Sequence, residues 1–358
     1  MSSDAPSVNV QRWTPTAIAF AAASAVLLVL LALVPFVFTQ NTTEKLTELF
    51  VLIILAAMWN ALAGYGGLVS VGQQAFIGIG AYAVIVFTDH GINGYVAVVL
   101  AALFAGVVSL PTSLLVFRLR GGQFAIGMWV VAEVFRLLVT NDQSVGGGTG
   151  RSLDVLNVYA PADRQAYTYW VALALMALLL IVTLVLLRSR LGAALQAIRD
   201  DERAAESLGV PVARAKRMIF LLAAVGCGAA GAITMVNTLT VTPDSIFGVQ
   251  WTAYMIFMVL LGGLGTFEGP VLGALVLFGI QQEWQNQGSW YLVGLGAVAI
   301  AVTLLLPRGI WGALVDRFHI RLVPVGYTLR GLLTATAAQT RPRQTQEASV
   351  APSAEKRA

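Results

Sequence analysis

Charged residues are scarce in this chain: only 11% of its 358 residues are Asp, Glu, Lys or Arg. Soluble domains carry about 25% charged and about 45–50% apolar residues. Here 58% of the residues are hydrophobic, and the mean hydropathy is +0.78. A soluble fold of this length cannot bury so much apolar surface, because surface area falls only slowly relative to volume. The composition excludes a soluble enzyme, a disordered protein and a secreted disulfide scaffold, and it indicates an integral membrane protein.

Residues that carry out chemistry are also few. With one Cys and two His, the sequence offers no intrachain disulfide, no metal-ligand cluster and no nucleophile paired with His. It also lacks a Walker-type phosphate loop: the nearest run has Val145 where the pattern needs Gly and Arg151 where it needs Lys. We therefore expect no catalytic residue, no metal, no cofactor, no nucleic-acid partner and no ATPase site of its own.

Long apolar runs are what the sequence does have. A transmembrane helix needs about 20 apolar residues, or about 17 at the low end. Ten segments are candidates: 16–38, 49–63, 71–88, 95–117, 124–139, 167–187, 218–241, 251–261, 270–281 and 290–306. They predict an all-α polytopic membrane protein with about ten transmembrane helices in two pseudo-repeated halves. Two pairs of short segments flank glycine-rich breaks at 64–70 and 262–269, and counting each pair as one re-entrant element lowers the number to eight.

The positive charges divide unevenly between the two sides of this arrangement. With the N-terminus inside, 18 of the 22 Lys and Arg fall in inner segments, three in outer loops, and Arg136 within a span. This asymmetry follows the positive-inside rule. It predicts a cytoplasmic tail at 1–15, a transmembrane domain at 16–307 with an inner loop at 188–217, and both termini in the cytoplasm. Composition further predicts a membrane-surface segment at 308–336 and a disordered cytoplasmic tail at 337–358.

The inner loop has the pattern of an amphipathic helix. Ser189 suits its N-cap and Gly209 its C-cap. The predicted apolar stripe has helical spacing and consists of Leu191, Leu195, Ile198, Ala205 and Leu208. The opposite face carries Arg199, Asp200, Asp201, Glu202, Arg203 and Glu206. Such a helix suits docking into a groove of a cytosolic partner. The alternative is a helix lying on the bilayer, which its acidic residues disfavour.

The two glycine-rich breaks indicate a transport path. Interrupted helices expose backbone polar groups, which must face protein or a water-filled path rather than lipid. Ser70, Gln73 and Gln74 add neutral hydrogen-bonding groups to the first break. Close helix packing by small residues is the compatible alternative. Paired interrupted segments in corresponding positions point to a path between repeats.

Two further features lie toward the predicted outer side. The loop after the segment 124–139 contains a flexible glycine-rich turn, Val-Gly-Gly-Gly-Thr-Gly. Glu133 and Arg136 lie three residues apart near the outer end of a span, where they can form a structural ion pair. A role in the path or its gate remains the alternative.

Several of these runs resemble one family. The stretch SRLGAALQAIRDDERAAESLGVPVARAK is similar to the cytoplasmic loop of branched-chain amino acid permeases of ABC importers, the LivH/LivM type, and more to LivM. The general importer motif, Glu-Ala-Ala then three residues then Gly, is met at Ala204, Ala205 and Gly209, but Arg203 replaces the Glu. Both glycine-rich breaks and the Gly-Gly-Gly-x-Gly turn also resemble this family.

The resemblance, together with these patterns, gives three sets of expected site residues. Coupling to an ATP-binding subunit is expected at Ala197, Ile198, Arg199, Asp200, Glu202, Ala204, Ala205 and Gly209. The translocation path is expected at Gly64, Tyr65, Gly67, Ser70, Gln73, Gln74, Phe76, Gly262, Gly263 and Gly265. Docking of a substrate-binding protein is expected at Gly146, Gly147, Gly148 and Gly150.

The resemblance also implies the partners and the cargo. These are a homologous second permease, two ATP-binding subunits, a periplasmic or extracellular binding protein and membrane lipid, in a bacterial inner membrane. Branched-chain or related small hydrophobic amino acids are the expected cargo, with urea, amides and aromatic acids as alternatives within the family. A stand-alone channel or secondary carrier and a membrane scaffold without transport activity are the rivals from other classes.

Overall fold

A computed structural model describes residues 9–11, 15–284, 289–306, 308–318 and 328–330. Most of these residues are helical. The helices are α1 Pro15–Ala32, α2 Val34–Val37, α3 Gln40–Asn60, α4 Gln74–Asp89, α5 Gly94–Val116, α6 Gly122–Asn141, α7 Pro161–Arg188, α8 Arg190–Asp200, α9 Glu202–Ser207, α10 Val212–Thr238, α11 Pro243–Ile246, α12 Gln250–Gly262, α13 Gly269–Trp284, α14 Ser289–Leu305 and α15 Gly309–Phe318. The π-helical turn Ala61–Tyr65 extends α3, and short 3-10 turns lie at Gln143–Val145, Gly147–Thr149 and Asp154–Val158.

Strands are minor. Strand β1 Asn9–Gln11 pairs antiparallel with β4 Thr328–Arg330, and β2 Arg151–Ser152 pairs antiparallel with β3 Thr240–Val241. Among the described residues, six helical segments are long and apolar enough to cross a membrane: Gln40–Tyr65, Gly94–Val116, Gly122–Asn141, Pro161–Arg188, Val212–Thr238 and Pro243–Gly262. Across the described ranges, ten helices have at least 13 residues. The predicted all-α polytopic architecture is confirmed.

The centre of the bundle is α10, which packs against α3, α4, α5 and α7. Its contact with α4 includes close approach of the two backbones. A Cβ on Gly231 would lie 1.8 Å from the Ile77 carbonyl oxygen, and a Cβ on Gly80 would lie 2.0 Å from that of Gly228. In lipid, helices associate largely through such close packing, since the surroundings are as apolar as the side chains. Large apolar side chains of α1, α5, α6 and α7 point outward, as expected of lipid-facing helices.

Several helices begin before the predicted apolar segments, and the difference is largest for α3. Helix α3 begins at Gln40 instead of residue 49. The charges of Glu44, Lys45 and Glu48 interrupt the apolar run, yet Glu and Lys are good helix formers, so the helix continues through them. Glu48 therefore lies inside a membrane helix rather than in a loop.

The inner loop is not one helix but two. Ser189 caps α8 as predicted, accepting a hydrogen bond from the Leu191 amide. The chain breaks at Asp201, whose backbone is extended at φ −154° and ψ 108°. The Asp201 side chain accepts hydrogen bonds from the amides of Arg203 and Ala204 and so starts α9. An Asp that can cap a new helix competes with continuation of the old one.

The predicted terminal segments are covered only in part. Of the tail 1–15, the structure describes 9–11 and residue 15, and the predicted tail 337–358 lies outside the described residues. Within 308–336, helix α15 packs against α12 and α13. A Cβ on Gly309 would lie 2.6 Å from the Gly263 Cα, so α15 starts directly against the second glycine-rich break.

Candidate functional site

The two glycine-rich breaks, 200 residues apart in sequence, meet at one end of the bundle. The Asn60 side chain joins them: its Nδ2 donates to the Thr266 carbonyl at 2.7 Å, and its Oδ1 accepts from the Gly265 amide at 2.8 Å. A Cβ on Gly64 would lie 2.6 Å from the Gly265 nitrogen. We call the contact formed by Asn60, Gly64, Gly265 and Thr266 the glycine junction. Glycine is required there because backbone meets backbone.

The inner loop reaches this junction through Arg199. Its Nη1 donates to the Gly64 carbonyl oxygen at 2.9 Å. A Cβ on Gly67, which has φ +66°, would lie 3.2 Å from the Arg199 Cα, and a Cβ on Gly265 would lie 3.4 Å from Nη1. Arg199 also forms an ion pair with Asp200 at 3.0 Å. Arg199 was expected on the charged outer face of a docking helix, whereas the structure places its guanidinium against the glycine junction.

The other expected coupling residues divide between two sides of the loop. Ile198 and Ala205 are buried against the bundle, and Glu202 is half-buried and bridges to Lys216 of α10 at 2.8 Å. The exposed ones are Ala197, Asp200, Ala204 and Gly209.

One member of the predicted apolar stripe is misplaced. Leu208 is 84% exposed instead of buried, because the break at Asp201 rotates α9 relative to α8. An exposed Leu beside exposed Ala204 forms a small apolar surface that faces away from the bundle. Near it is a charged cavity of about 460 Å³, lined by Arg120, Asp201, Glu202, Arg203 and Glu206.

The polar side chains after the first break are closed to solvent. Ser70 and Gln73 are 0% exposed and Gln74 is 1% exposed. Gln73 Nε2 donates to Ser70 Oγ at 3.1 Å, and Trp59 Nε1 donates to the Ser70 carbonyl at 2.9 Å. Thr252 Oγ1 of α12 donates to Gln74 Oε1. We call Trp59, Ser70, Gln73, Gln74 and Thr252 the polar layer. It joins α3, α4 and α12 and closes the bundle rather than lining an open channel.

The remaining expected path residues surround this layer. Phe76 is buried and packs edge-on against Phe220 of α10, with ring centroids 5.5 Å apart. Tyr65 is buried in the π-helical turn next to Gly64. In the second break, a Cβ on Gly262 would lie 1.9 Å from the Gly269 carbonyl oxygen, and Gly263 has φ +128°. The glycines of both breaks and Tyr65 therefore lie at the end of the bundle that carries the inner loop. Gln73 lies deeper, beside Cys227 at the middle of α10.

The glycine-rich turn lies at the opposite end and is a tightly held loop. Gly146, Gly147 and Gly150 have positive φ, and a Cβ on Gly150 would lie 2.2 Å from the Val241 carbonyl oxygen. Gly147 is buried, whereas Gly148 is exposed. These glycines shape the loop, so exposed side chains such as Val158 must supply most of any docking surface.

Ion pairs fix this loop and its surroundings. Arg151 donates to both carboxylate oxygens of Asp89, at 2.6 and 3.0 Å, and to the Ser144 carbonyl at 2.8 Å. Hydrogen bonds from the Ser144 side chain and amide hold the pKa of the Asp142 carboxyl below its ordinary value.

Arg136 has a larger role than the sequence alone suggested. It pairs with Glu133, as expected, and also with Asp244 of α11. This three-charge cluster joins α6 to the α11 segment at the same end of the bundle as the glycine-rich turn.

Asp89→Ala is expected to speed trypsin cleavage after Arg151 by about two- to fivefold, because a half-exposed ion pair contributes about 0.2–1 kcal/mol to local order. Limited proteolysis in detergent measures this rate. Asp154→Ala, which removes an exposed acid of the same loop, is the control. Equal cleavage rates in both variants would mean that the β2–β3 pairing alone orders the loop.

Some residues of this site were not found by sequence reasoning. Asn60 lies one turn before Gly64 within an apolar run, and a polar residue in a span is a functional hypothesis by default. The sequence therefore contained a signal for Asn60. Trp59, Thr252 and Thr266 gave none, since their partners lie on other segments of the chain.

The sequence matches one family of known proteins. Residues 41–307 match the family described as "Branched-chain amino acid transport system / permease component". The chain is 28% identical over 311 residues to the high-affinity branched-chain amino acid transport system permease protein LivM of Escherichia coli (strain K12), covering 79% of this chain and 73% of that protein. LivM of Salmonella typhimurium (strain LT2) gives the same identity and coverage. The probable branched-chain amino acid transport permease protein LivM of Methanocaldococcus jannaschii is 24% identical over 181 residues, covering 50% and 52% of the two chains.

The family match covers most of the chain, including both glycine-rich breaks and the inner loop. It confirms the resemblance seen in the sequence motifs: this chain belongs to the permease component family of branched-chain amino acid transport systems.

Proposed function

We propose that this chain is a transmembrane permease subunit of a bacterial ABC importer for branched-chain or related small hydrophobic amino acids. It pairs with a homologous second permease, two ATP-binding subunits and an external substrate-binding protein. The inner loop and both termini lie in the cytoplasm, and the glycine-rich turn faces the binding protein. The distribution of Lys and Arg supports this orientation.

The observation that carries the proposal is the hydrogen bond from Arg199 to Gly64. It connects the exposed α8–α9 loop directly to the first glycine-rich break, which Asn60 joins to the second. The exposed side of the loop, with Leu208 and Ala204, is free to dock in a groove of an ATP-binding subunit. Movement of that subunit on ATP binding then shifts Arg199, and Arg199 shifts the glycine junction.

The polar layer gives this movement a consequence for transport. Ser70 ends the first break, Gln73 follows it, and Gln74 starts α4. A displacement of the break therefore moves one side of the layer relative to Thr252 on α12. Separation of Gln74 from Thr252 opens a path lined by neutral hydrogen-bonding groups. Such walls suit weak passage of a zwitterion that a binding protein has already selected.

Arg199→Ala is expected to lower ATP-driven leucine uptake about tenfold or more in the importer reconstituted with its partners. The loss follows from removing a charge-assisted hydrogen bond of about 1.5–3 kcal/mol at the contact between loop and junction. ATP hydrolysis and co-purification of the ATP-binding subunits are expected to persist, because Arg199 faces the bundle.

Arg190→Ala is the matched control, since Arg190 is an exposed arginine at the start of the same helix. Unchanged uptake in Arg199→Ala contradicts transmission through this residue. Loss of the ATP-binding subunits from the purified complex makes Arg199 a docking residue instead. Leucine uptake by the chain alone in liposomes without ATP contradicts the importer and indicates a channel or carrier.

The cargo alternatives are tested in the same assay. Uptake of urea, an amide or an aromatic acid in place of leucine would assign this chain to another substrate group of the family.

A further inference from the structure

A second cavity lies at the end of the bundle opposite the glycine junction. Its volume is about 310 Å³, within the range of small-molecule sites. Residues of α3, α10, α11, α12 and α13 line it. The side chains that matter below are Glu48, Asn237, Gln250, Trp251, Tyr254 and Gln281. None of the expected path residues lines this cavity.

The cavity carries one formal charge. Glu48 is the acidic residue among its lining side chains, and no Lys or Arg is among them. Within the part of the chain that the structure describes, no hydrogen bond or ion pair reaches the Glu48 carboxylate. Glu48 lies eight residues into α3, about 12 Å along the helix axis. The Glu48 side chain is exposed to the cavity, and the charged groups that act on it are Glu44 and Lys45 of the same helix. Ionisable residues within membrane helices typically face a bundle interior or a water-filled cavity.

Neutral hydrogen-bonding groups line the same cavity as Glu48. The side-chain amides of Asn237, Gln250 and Gln281 make no hydrogen bond with the other described residues, so their N–H groups are available to a ligand. The indole of Trp251 and the ring of Tyr254 lie at 83° to each other with centroids 6.2 Å apart. The cavity thus combines one anion, several amide donors and an apolar aromatic wall.

We propose, as an extension of the function proposed above, that this cavity binds an α-amino acid with an apolar side chain on its way to the polar layer. The ammonium group binds the Glu48 carboxylate, the amide N–H groups hold the substrate carboxylate, and the apolar side chain packs against Trp251. A cation beside Glu48 neutralises the charge that the protein leaves unpaired. Urea and simple amides lack that positive charge, so the site selects against them.

The cavity, the polar layer and the glycine junction follow one another along α12. Trp251 lines it, and the next residue, Thr252, belongs to the polar layer. Helix α12 then runs from Thr252 to Gly262, beside the glycine junction. A substrate leaving the cavity therefore meets the polar layer first and the junction last.

The first test is direct binding, read by protection of a cysteine. Thr238→Cys introduces a thiol into the cavity wall of the assembled importer, while the native Cys227 is fully buried. Leucine is expected to slow maleimide labelling, whereas isovaleramide, urea and 4-methyl-2-oxopentanoate, which lack the ammonium group, are not. Equal protection by isovaleramide and leucine, or no protection by leucine, would overturn the proposal.

The second test is ATP-driven leucine uptake by the same complex. Glu48→Gln is expected to lower uptake and leucine protection about tenfold or more, and Glu48→Asp to retain much of both. Glu44→Gln, one turn away on the same helix and outside the cavity, is the control. Wild-type uptake in Glu48→Gln overturns the Glu48 site and leaves the importer standing. A wild-type complex that takes up urea but not leucine overturns the proposed cargo instead.

Discussion

Gly80→Ala is expected to lower the apparent melting temperature of the detergent-solubilised protein by roughly 1–4 °C, because overpacking costs about 1–3 kcal/mol and the unfolding entropy of a chain of this length is about 0.75 kcal/mol/K. A Cβ on Gly80 would lie 2.0 Å from the Gly228 carbonyl oxygen and 2.7 Å from the Gly228 Cα. These are backbone atoms of α10, so no side-chain rotation relieves the clash. Helices α4 and α10 must instead move apart at the centre of the bundle.

The consequence extends beyond one contact. The other side of Gly228 meets α5, where its own Cβ would lie 2.4 Å from the Ala105 Cβ. Helix α10 is thus held between α4 and α5 at backbone distance and cannot shift toward α5 to make room. In lipid there is little hydrophobic gain to offset the lost packing.

Gly279→Ala is the matched control for this prediction. Gly279 lies inside α13, and nothing lies within 4 Å of the position of its Cβ. Ala is about 0.8–1 kcal/mol more favourable than Gly in a helix interior, so the melting temperature should stay constant or rise. A similar fall in both variants would show that the α4–α10 contact is not specially tight.

The sequence predicted the helices but not the contacts between them. Composition predicted a membrane protein, and the lengths of the apolar runs predicted the ten helices. The residue type at position 189 predicted the N-cap of α8. Each of these depends on residues near one another in the chain. The break at Asp201 is also local, but helical spacing of the apolar residues on both sides hid it. An Asp in the middle of the pattern was the available signal.

The candidate site depends on long-range contacts. Arg199 meets Gly64 across 135 residues, and Asn60 meets Gly265 across 205. No periodicity or motif encodes which turns of two distant segments will touch. Glycine in both breaks indicated only that backbone would come close to something. Glu48 was missed for a different reason. The predicted apolar segment was ended at the first charged residue, and this excluded Glu48 from the membrane helix.

Asn60→Leu is expected to destabilise the protein by about 2–6 kcal/mol, since two backbone groups at the junction, the Gly265 amide and the Thr266 carbonyl, each lose a partner worth about 1–3 kcal/mol. Leucine is similar in size, so the loss is of hydrogen bonds rather than volume. The local readout is hydrogen exchange measured by mass spectrometry. The segment that contains the Gly265 amide should lose protection, while α10 keeps it.

The matched control is Asn141→Leu, the same change at the exposed end of α6, where the amide donates only to the Leu137 carbonyl within its own helix. Protection of the Gly265 amide in Asn60→Leu equal to that of the wild type contradicts the bridging role of Asn60.

The pair Asn60→Leu and Arg199→Ala separates two functions of the glycine junction. Arg199→Ala leaves the Asn60 bridge intact, so the breaks stay together and only the connection to the inner loop is lost. Asn60→Leu leaves the hydrogen bond from Arg199 to Gly64, but it releases the second break from the first. Uptake should fall in both variants, and exchange at Gly265 should rise only in Asn60→Leu. If Arg199→Ala also exposes the Gly265 amide, the arginine holds the junction together instead of transmitting movement to it.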